Sequence, residues 1–360
     1  MNTIKEYKCP CCGGAISFDV EGQNLKCSYC DTEFDIEALD DYSDELQNEE
    51  STPEWEAQAG GNWKDGEAEG ICTYSCKSCG GEILADTTTA ATSCPFCGNP
   101  VILTSKLAND LKPDLVVPFK YDKKSAKEAL KNHFKGKKLL PKAFASDAHL
   151  DEIKGIYVPF WLFSADTSSK TRYKGTRISH WSDSKYNYTK TSYFSLIRGG
   201  KLNFSHIPVD ASTKMANDLM ESLEPYNISE AVDFETAYLA GYFADRYDVS
   251  QGESIARANE RIRQSIIDEF EKTALGYLGT YCTSCNFDLT SSSVKYALLP
   301  VWLLTTSYKD KNYIFAMNGQ TGKFVGNLPM DWGAFWRWFF AAFGIVSTII
   351  FLILFGINFM

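Results

Sequence analysis

YKCPCCGGAI, residues 7–16, returns as YSCKSCGGEI at residues 74–83. Each copy opens a cysteine quartet of one spacing: Cys9, Cys12, Cys27 and Cys30, then Cys76, Cys79, Cys94 and Cys97. Two Cys-x2-Cys knuckles held apart by a fourteen-residue hairpin can close on a single tetrahedral ion, so the chain is predicted to carry two zinc ribbons. The paired glycines after the second cysteine, Gly13–Gly14 and Gly80–Gly81, allow a turn through positive φ that brings backbone N–H groups toward the thiolates. Four thiolates fill every zinc position and leave none for water or substrate, so both ions are expected to be structural. Iron is the alternative metal, because Cys94-Pro95-Phe96-Cys97-Gly98 also has the form of a rubredoxin knuckle. Cys11 and Cys72 read as ordinary reduced thiols, and Cys282 with Cys285 as a lone pair lacking two further ligands.

Charge divides the chain. The net charge is −10, but Asp31–Glu69 holds fifteen acids against Lys64 alone, which leaves the remainder at +4. A segment so acidic and poor in aliphatics is expected to be a flexible linker, interrupted by Trp55 and Trp63, which either dock a partner or rest on a neighbouring domain. Lys106–Lys142 carries the opposite bias, eleven lysines to four acids, partly on a helix with Ala126, Ala129, Leu130 and Phe134 on its apolar face. The lysines on the helix's opposite face are expected to be solvated, or else to meet anionic lipid. The N-terminal residues are polar, unlike a secretory signal, so the thiols are expected to face a reducing cytosol. At the other end, Phe339–Met360 is 22 residues without a charge, long enough for a single-pass membrane anchor, with Trp332, Trp336, Trp338 and Arg337 as its cytoplasmic belt.

The middle repeats as well. IKGIYVPFWLF (153–163) aligns with VKYALLPVWLL (294–304), matching Pro159 to Pro300 and Trp161 to Trp302, and VVPFKYDKKSAKEAL (116–130) aligns with HIPVDASTKMANDLM (206–220). The prolines place these strands at sheet edges or bulges. Further strands are predicted at 188–197 and 201–207 around a turn at Arg198-Gly199-Gly200, at 238–247, and at 312–317 and 323–326 around Asn318-Gly319, with a helix over 253–275. The fold class is α+β: two small four-cysteine zinc ribbons, an internally duplicated and mainly antiparallel α+β domain, and a C-terminal transmembrane helix. The predicted division is ribbon 1 over 1–36, acidic flexible linker over 37–70, ribbon 2 over 71–105, duplicated domain over 106–331 and membrane anchor over 332–360.

No catalytic constellation is legible. His133, His149, His180 and His206 lack metal-ligand spacing, and Gly319-Gln320-Thr321-Gly322-Lys323-Phe324 imitates a phosphate loop without its first glycine or its hydroxyl. The expectation is a protein that is not an enzyme, with no small-molecule substrate.

The first ribbon together with YLAGYFADRYDV (238–249), LLPVWLL (298–304) and MNGQTGKFVGNLP (317–329) resembles bacterial YdjG-type proteins, zinc-ribbon membrane proteins of Gram-positive bacteria with a TFIIB-type ribbon. The resemblance covers nearly the whole chain. It implies a membrane platform that, with a partner membrane protein, recruits PspA-like and SPFH-like soluble proteins during envelope stress. The expected function is thus a tail-anchored, cytosol-facing adaptor. The rival is a nucleic-acid-binding ribbon protein of transcription or replication, which the few basic residues of the ribbons and the adjoining acid disfavour. A third reading is thiol redox chemistry at Cys282 and Cys285.

Overall fold

The computed structural model describes residues 8–9, 11–20, 22–34, 53–56, 58–64, 66–68, 70–86, 93–99, 101–106, 111–141, 144, 150, 152–308, 311–326 and 328–358. Three short strands, β1 (Ile16–Asp19), β2 (Asn24–Cys27) and β3 (Glu33–Phe34), form a separate antiparallel sheet in that order. Then follow β4 (Ile71–Ser75), β5 (Glu82–Asp86), β6 (Ile102–Lys106), β7 (Leu115–Val116), helix α1 (Lys123–Phe134), β8 (Lys154–Ser182), β9 (Asn187–Asp210), α2 (Asn217–Ser222), β10 (Val232–Asp233), β11 (Phe243–Asp245), α3 (Gln251–Glu271), β12 (Gly279–Tyr308), β13 (Lys311–Asn318), β14 (Phe324–Gly326) and α4 (Trp332–Asn358). The fold is α+β. Its large sheet runs β10-β7-β12-β8-β11-β5-β4-β6, with β13 on β12, β14 on β13 and β9 on β8.

Two compact units divide the chain by contact: residues Met1–Gln58, Phe163–Ile207 and Ile255–Val294 in the first, Ala59–Leu162, Pro208–Ser254 and Lys295–Met360 in the second. The division cuts through the region predicted as one duplicated domain, because β8, β9 and β12 are each long enough to serve both units.

In the second unit the duplication is a hydrogen-bonding pattern. Two-residue strands lie parallel to the two central strands at matched positions: β7 pairs Leu115–Val116 with Ala297–Leu298, and β11 pairs Phe243–Ala244 with Ile156–Tyr157. Five residues on, Trp302 Nε1 donates to Tyr121 O at 2.9 Å and Trp161 Nε1 donates to Val249 O at 3.0 Å. Gly319 N donates to Pro300 O and Ala211 N to Pro159 O, while Tyr121 N and Val249 N donate to Gly319 O and Ala211 O. Helices begin at the same offset, α1 behind the cap Asp122 and α3 behind Ser250, whose hydroxyl and N–H exchange bonds with Glu253 as a capping box. Residues 116–130 therefore correspond to 244–258, not to 206–220; the latter contain instead the partner of the Met317–Thr321 turn. The proline and alanine matches do not mark this repeat, because the positions equivalent to Pro118 and Lys120 are Arg246 and Asp248.

Pro159 and Pro300 lie in central strands, not edge strands. Each sits where one neighbour stops and the next begins: β7 pairs as far as Leu298 and β13 starts at Val301, so the missing N–H interrupts no ladder there. The turn predicted at Arg198-Gly199-Gly200 is also absent. β9 continues through it with neither glycine at positive φ, and the chain reverses at Asp183–Tyr186, where Asp183 Oδ1 accepts the N–H groups of Lys185 and Tyr186. The strand expected over 238–247 is shorter, a 3-10 turn at Thr236–Leu239 followed by β11.

Periodicity accounts for both long helices. Ala126, Leu130 and Phe134 are buried on α1 and pack with Phe144, Ile153, Trp302, Phe315 and Met317. Ile262 and Ile266 of α3 are buried against Phe287, Cys285 and Trp55 in the first unit. Each such side chain stabilises by about 2 kcal/mol when fully buried. Trp302→Phe keeps most of this packing but orphans Tyr121 O, so urea denaturation is expected to show a loss of about 1–2 kcal/mol with an unchanged m-value.

The described part of the acidic segment is packed. Trp55 Nε1 donates to Asn259 Oδ1 at 2.9 Å, and its ring meets Phe163 edge-on at 4.8 Å, all within the first unit. In the second, Gly61 bridges Lys112, Lys112 Nζ reaches Glu67 Oε1 at 2.9 Å, and Trp63 meets Phe234 edge-on. Residues 35–52, where the acid is densest, lie outside the described residues.

Helix α4 is long and apolar enough to cross a membrane: its span Trp332–Phe355 has a mean hydropathy of 2.5, and although Ala334 is buried at its start, every residue from Trp336 to Phe355 is exposed. Asp331 starts it, its Oδ1 accepting the N–H groups of Gly333 and Ala334, while its own N–H donates to Leu139 O. Lys138 Nζ lies 4.2 Å from the Trp338 ring centroid, a cation–π contact at the base of the helix.

Candidate metal centres

Four knuckles of one design bring the predicted cysteines together. At each, the N–H of the first cysteine donates to the carbonyl five residues on, and the residue four on donates back: Cys9 with Gly14 and Gly13, Cys27 with Thr32 and Asp31, Cys76 with Gly81 and Gly80, Cys94 with Asn99 and Gly98. That fourth residue is left-handed every time, Gly13 at φ +75°, Asp31 at +53°, Gly80 at +69° and Gly98 at +76°. The second glycine of each pair serves closeness instead, since a Cβ on Gly14 would strike Tyr29 and one on Gly81 would press on Phe96.

The sulfur geometry fits a four-thiolate ion. In the first group Cys9 Sγ is 3.6 Å from Cys30 Sγ and Cys12 Sγ 3.5 Å from Cys27 Sγ; in the second the distances are 3.6 Å for Cys76–Cys97 and 3.7 Å for Cys79–Cys94. A tetrahedron with Zn–S bonds of ~2.3 Å has edges of about 3.8 Å. All four sulfurs of each group lie within 4.8 Å of one another, so each group could hold one metal ion, as zinc would require. Cys11, Cys72, Cys282 and Cys285 belong to neither group.

Local chemistry favours thiolate at one position in each group. The Thr32 hydroxyl and N–H, bonded to Cys30, hold its thiol down to about 6. Burial raises Cys97, but the backbone and side-chain N–H groups of Asn99 outweigh it and hold that thiol down to about 7. Burial raises Cys9 and Cys94, whose ionisation therefore depends on an arriving cation.

Two lysines of β8 brace the groups. Lys154 Nζ donates to Ser93 O at 2.9 Å and to Cys94 O at 3.5 Å, beside a Thr305 hydroxyl that donates to Pro95 O at 2.9 Å. Lys174 Nζ donates to Cys11 O at 2.5 Å. A cation beside each group offsets the negative charge that four thiolates retain around a divalent ion. Neither lysine was singled out by the sequence, which gives no sign of which strand meets which knuckle.

The groups differ in how they join the protein. The first sits on its own three-stranded sheet. In the second, β5 pairs with β11, and Cys76, Cys94 and Phe96 lie in the main hydrophobic core with Ile156, Val158, Leu299 and Leu303.

Other sequence candidates are structurally occupied. In the Gly319–Lys323 turn, the N–H groups of Gln320 and Thr321 go to Asn318 Oδ1, and those of Gly319 and Gly322 to carbonyls, leaving no cradle for phosphate. Burial raises the half-buried Cys282 thiol, the reverse of what an attacking thiolate needs, and Cys285 is buried under α3. His133 contacts Lys137 and His180 contacts Thr189; His149 lies outside the described residues.

These features define a class: an α+β protein with two four-cysteine groups and a C-terminal apolar helix. A protein of Bacillus subtilis (strain 168), described as "Uncharacterized protein YdjG", is 36% identical over 337 residues, spanning 93% of this chain and 93% of that one. The chain belongs to the YdjG family. No protein-family model matches it, and no solved structure does.

Proposed function

We propose that the chain is a membrane-tethered adaptor, not an enzyme, that faces the cytosol and uses two zinc-loaded ribbons as binding platforms for soluble proteins. The observation that carries this reading is the closed ligand set: four sulfurs per group, mutually within 4.8 Å, leave an ion no open position at which to activate water or substrate. Helix α4, apolar and exposed from Trp336 to Phe355, is the tether. Exposed Phe18, Val20 and Tyr29 give the first ribbon an apolar surface that a partner could cover. The YdjG-type resemblance supplies the partners, PspA-like and SPFH-like proteins of envelope stress.

Co-purification from solubilised membranes tests the reading. PspA-like or SPFH-like proteins are expected to accompany the full-length chain and its Cys285→Ser variant, and to be lost at least about tenfold from Cys27→Ser, which opens the first ribbon. Equal recovery with the opened ribbon, or no partner with the intact chain, overturns it.

A further inference from the structure

The β8–β9 hairpin of the first unit runs out into an arm that no described residue covers. Arg177 through Thr191 are exposed without interruption on both strands. The duplication makes the arm conspicuous: matching Pro159 to Pro300 sets Thr167 against Tyr308, where β12 ends, whereas β8 continues to Ser182. The arm is an addition to one copy only. A two-stranded ribbon with both faces in water is marginally stable, so its composition should indicate what it meets.

That composition is aromatic and cationic. Trp181, 52% exposed, stacks on Tyr188 at 5.5 Å and 12°, and Tyr186 beside them is 64% exposed. Lys185 and Lys190 extend from the same end, and no described carboxylate pairs with either. Asp183 is the arm's single acid, and its charge is spent internally: Oδ1 accepts two turn N–H groups and Oδ2 accepts the Tyr188 hydroxyl at 2.9 Å. Those three hydrogen bonds hold its carboxyl below the usual range, so it stays an anion folded into the turn while the ammonium groups face out.

We infer that this arm is a lipid-headgroup anchor: Trp181, Tyr186 and Tyr188 settle at the interface of an anionic membrane, with Lys185 and Lys190 against its phosphates. Tryptophan and tyrosine beside lysine is the side-chain mixture of the headgroup layer. Each lysine near an anionic leaflet contributes ~1 kcal/mol, about fivefold in occupancy. A chain whose own α4 is long and apolar enough to enter a bilayer meets that surface at high effective concentration, so two lysines and three rings suffice where a free protein would need more. The inference goes beyond the adaptor reading and does not depend on which proteins are recruited.

Hydrogen exchange of the full-length chain in lipid nanodiscs decides it. Amides of residues 177–191 are expected to exchange at least about fivefold more slowly in discs containing a third phosphatidylglycerol than in purely phosphatidylcholine discs, the factor for even one lysine. Lys185→Glu with Lys190→Glu should abolish the difference, and Trp181→Ser should reduce it, with α3 unchanged. The unaltered chain alone settles the point if a variant misfolds. Identical exchange in both discs overturns the anchor. So does protection of the arm by single-stranded RNA in detergent that exceeds its protection by anionic discs, which would assign the stacked rings to nucleobases. Loss of partner capture with the arm still protected would overturn only the adaptor.

Discussion

Cys94→Ser is expected to remove one of two metal equivalents and to destabilise the whole second unit, whereas Cys27→Ser removes the other equivalent and leaves that unit folded. The asymmetry follows from where the sulfurs sit. Cys94 and Cys76 are buried in the main core with Phe96, and β5 between their knuckles is a strand of the large sheet. Opening that site frees two strands and exposes core side chains, while the first group draws only its own small sheet into disorder. Structural zinc contributes on the order of 10 kcal/mol to the folding of isolated modules, so losing one ligand should cost the second unit about 4 kcal/mol or more. Metal analysis paired with hydrogen exchange of β12 residues 297–304 measures both halves. Equal effects of the two serines on β12 would show that the second group is not part of that core.

Asp245→Asn is expected to stabilise the protein by about 2 kcal/mol at pH 8 and to flatten its pH dependence. Asp245 and Asp210 are buried on either side of Ser212, which gives its hydroxyl to Asp245 Oδ2 at 2.5 Å and its N–H to Asp210 Oδ1 at 3.1 Å. Their other oxygens, Asp245 Oδ1 and Asp210 Oδ2, accept no hydrogen bond from a described residue. The equivalent positions in the other copy are neutral, Val117 for Asp245 and Asn318 for Asp210, and Asn318 Nδ2 bonds Leu223 O and Pro225 O. Burial pushes Asp245 up to about 8 and Asp210 up to about 7, and Asp248 adds to both, with Glu221 acting on Asp210; Lys214 is spent on Asp248 and Arg246 on Glu82. Both folded values lie above the unfolded one, near 4, so between pH 4 and 8 the folded state keeps protons that the unfolded state has lost. Stability therefore falls as pH rises through that window and levels off above it. Urea denaturation from pH 5 to 9 tests the sign: stability of the unaltered chain rising across this range would contradict the assignment, as would an Asn variant with the same slope.

What the sequence disclosed and what it hid follow from the range of the interactions. The cysteine groups were legible because a knuckle is a local object whose spacing, left-handed residue and turn bonds lie within six residues. Helix α1 and α3 were legible from period, and α4 from its lack of charge. The duplication was visible at Pro159 and Pro300 yet misassigned upstream, because its two halves conserve backbone bonds and cap positions while exchanging Pro118 for Arg246 and Lys120 for Asp248. Asp122 and Ser250, each one residue before a helix, were the available signal. The Arg198–Gly200 turn failed because two glycines permit a reversal without requiring one, whereas Asp183 supplies the hydrogen bonds that make it. The bracing of the cysteine groups by Lys154 and Lys174 depends on strand register across more than sixty residues of chain and leaves no local trace.

Metal stoichiometry of the intact, purified chain tests the central claim most directly. Two zinc ions per polypeptide, one lost on Cys27→Ser and the other on Cys94→Ser, is the predicted result. A purified, folded chain carrying no metal, or one in which all eight sulfurs react freely with a thiol reagent before any denaturant is added, would contradict it.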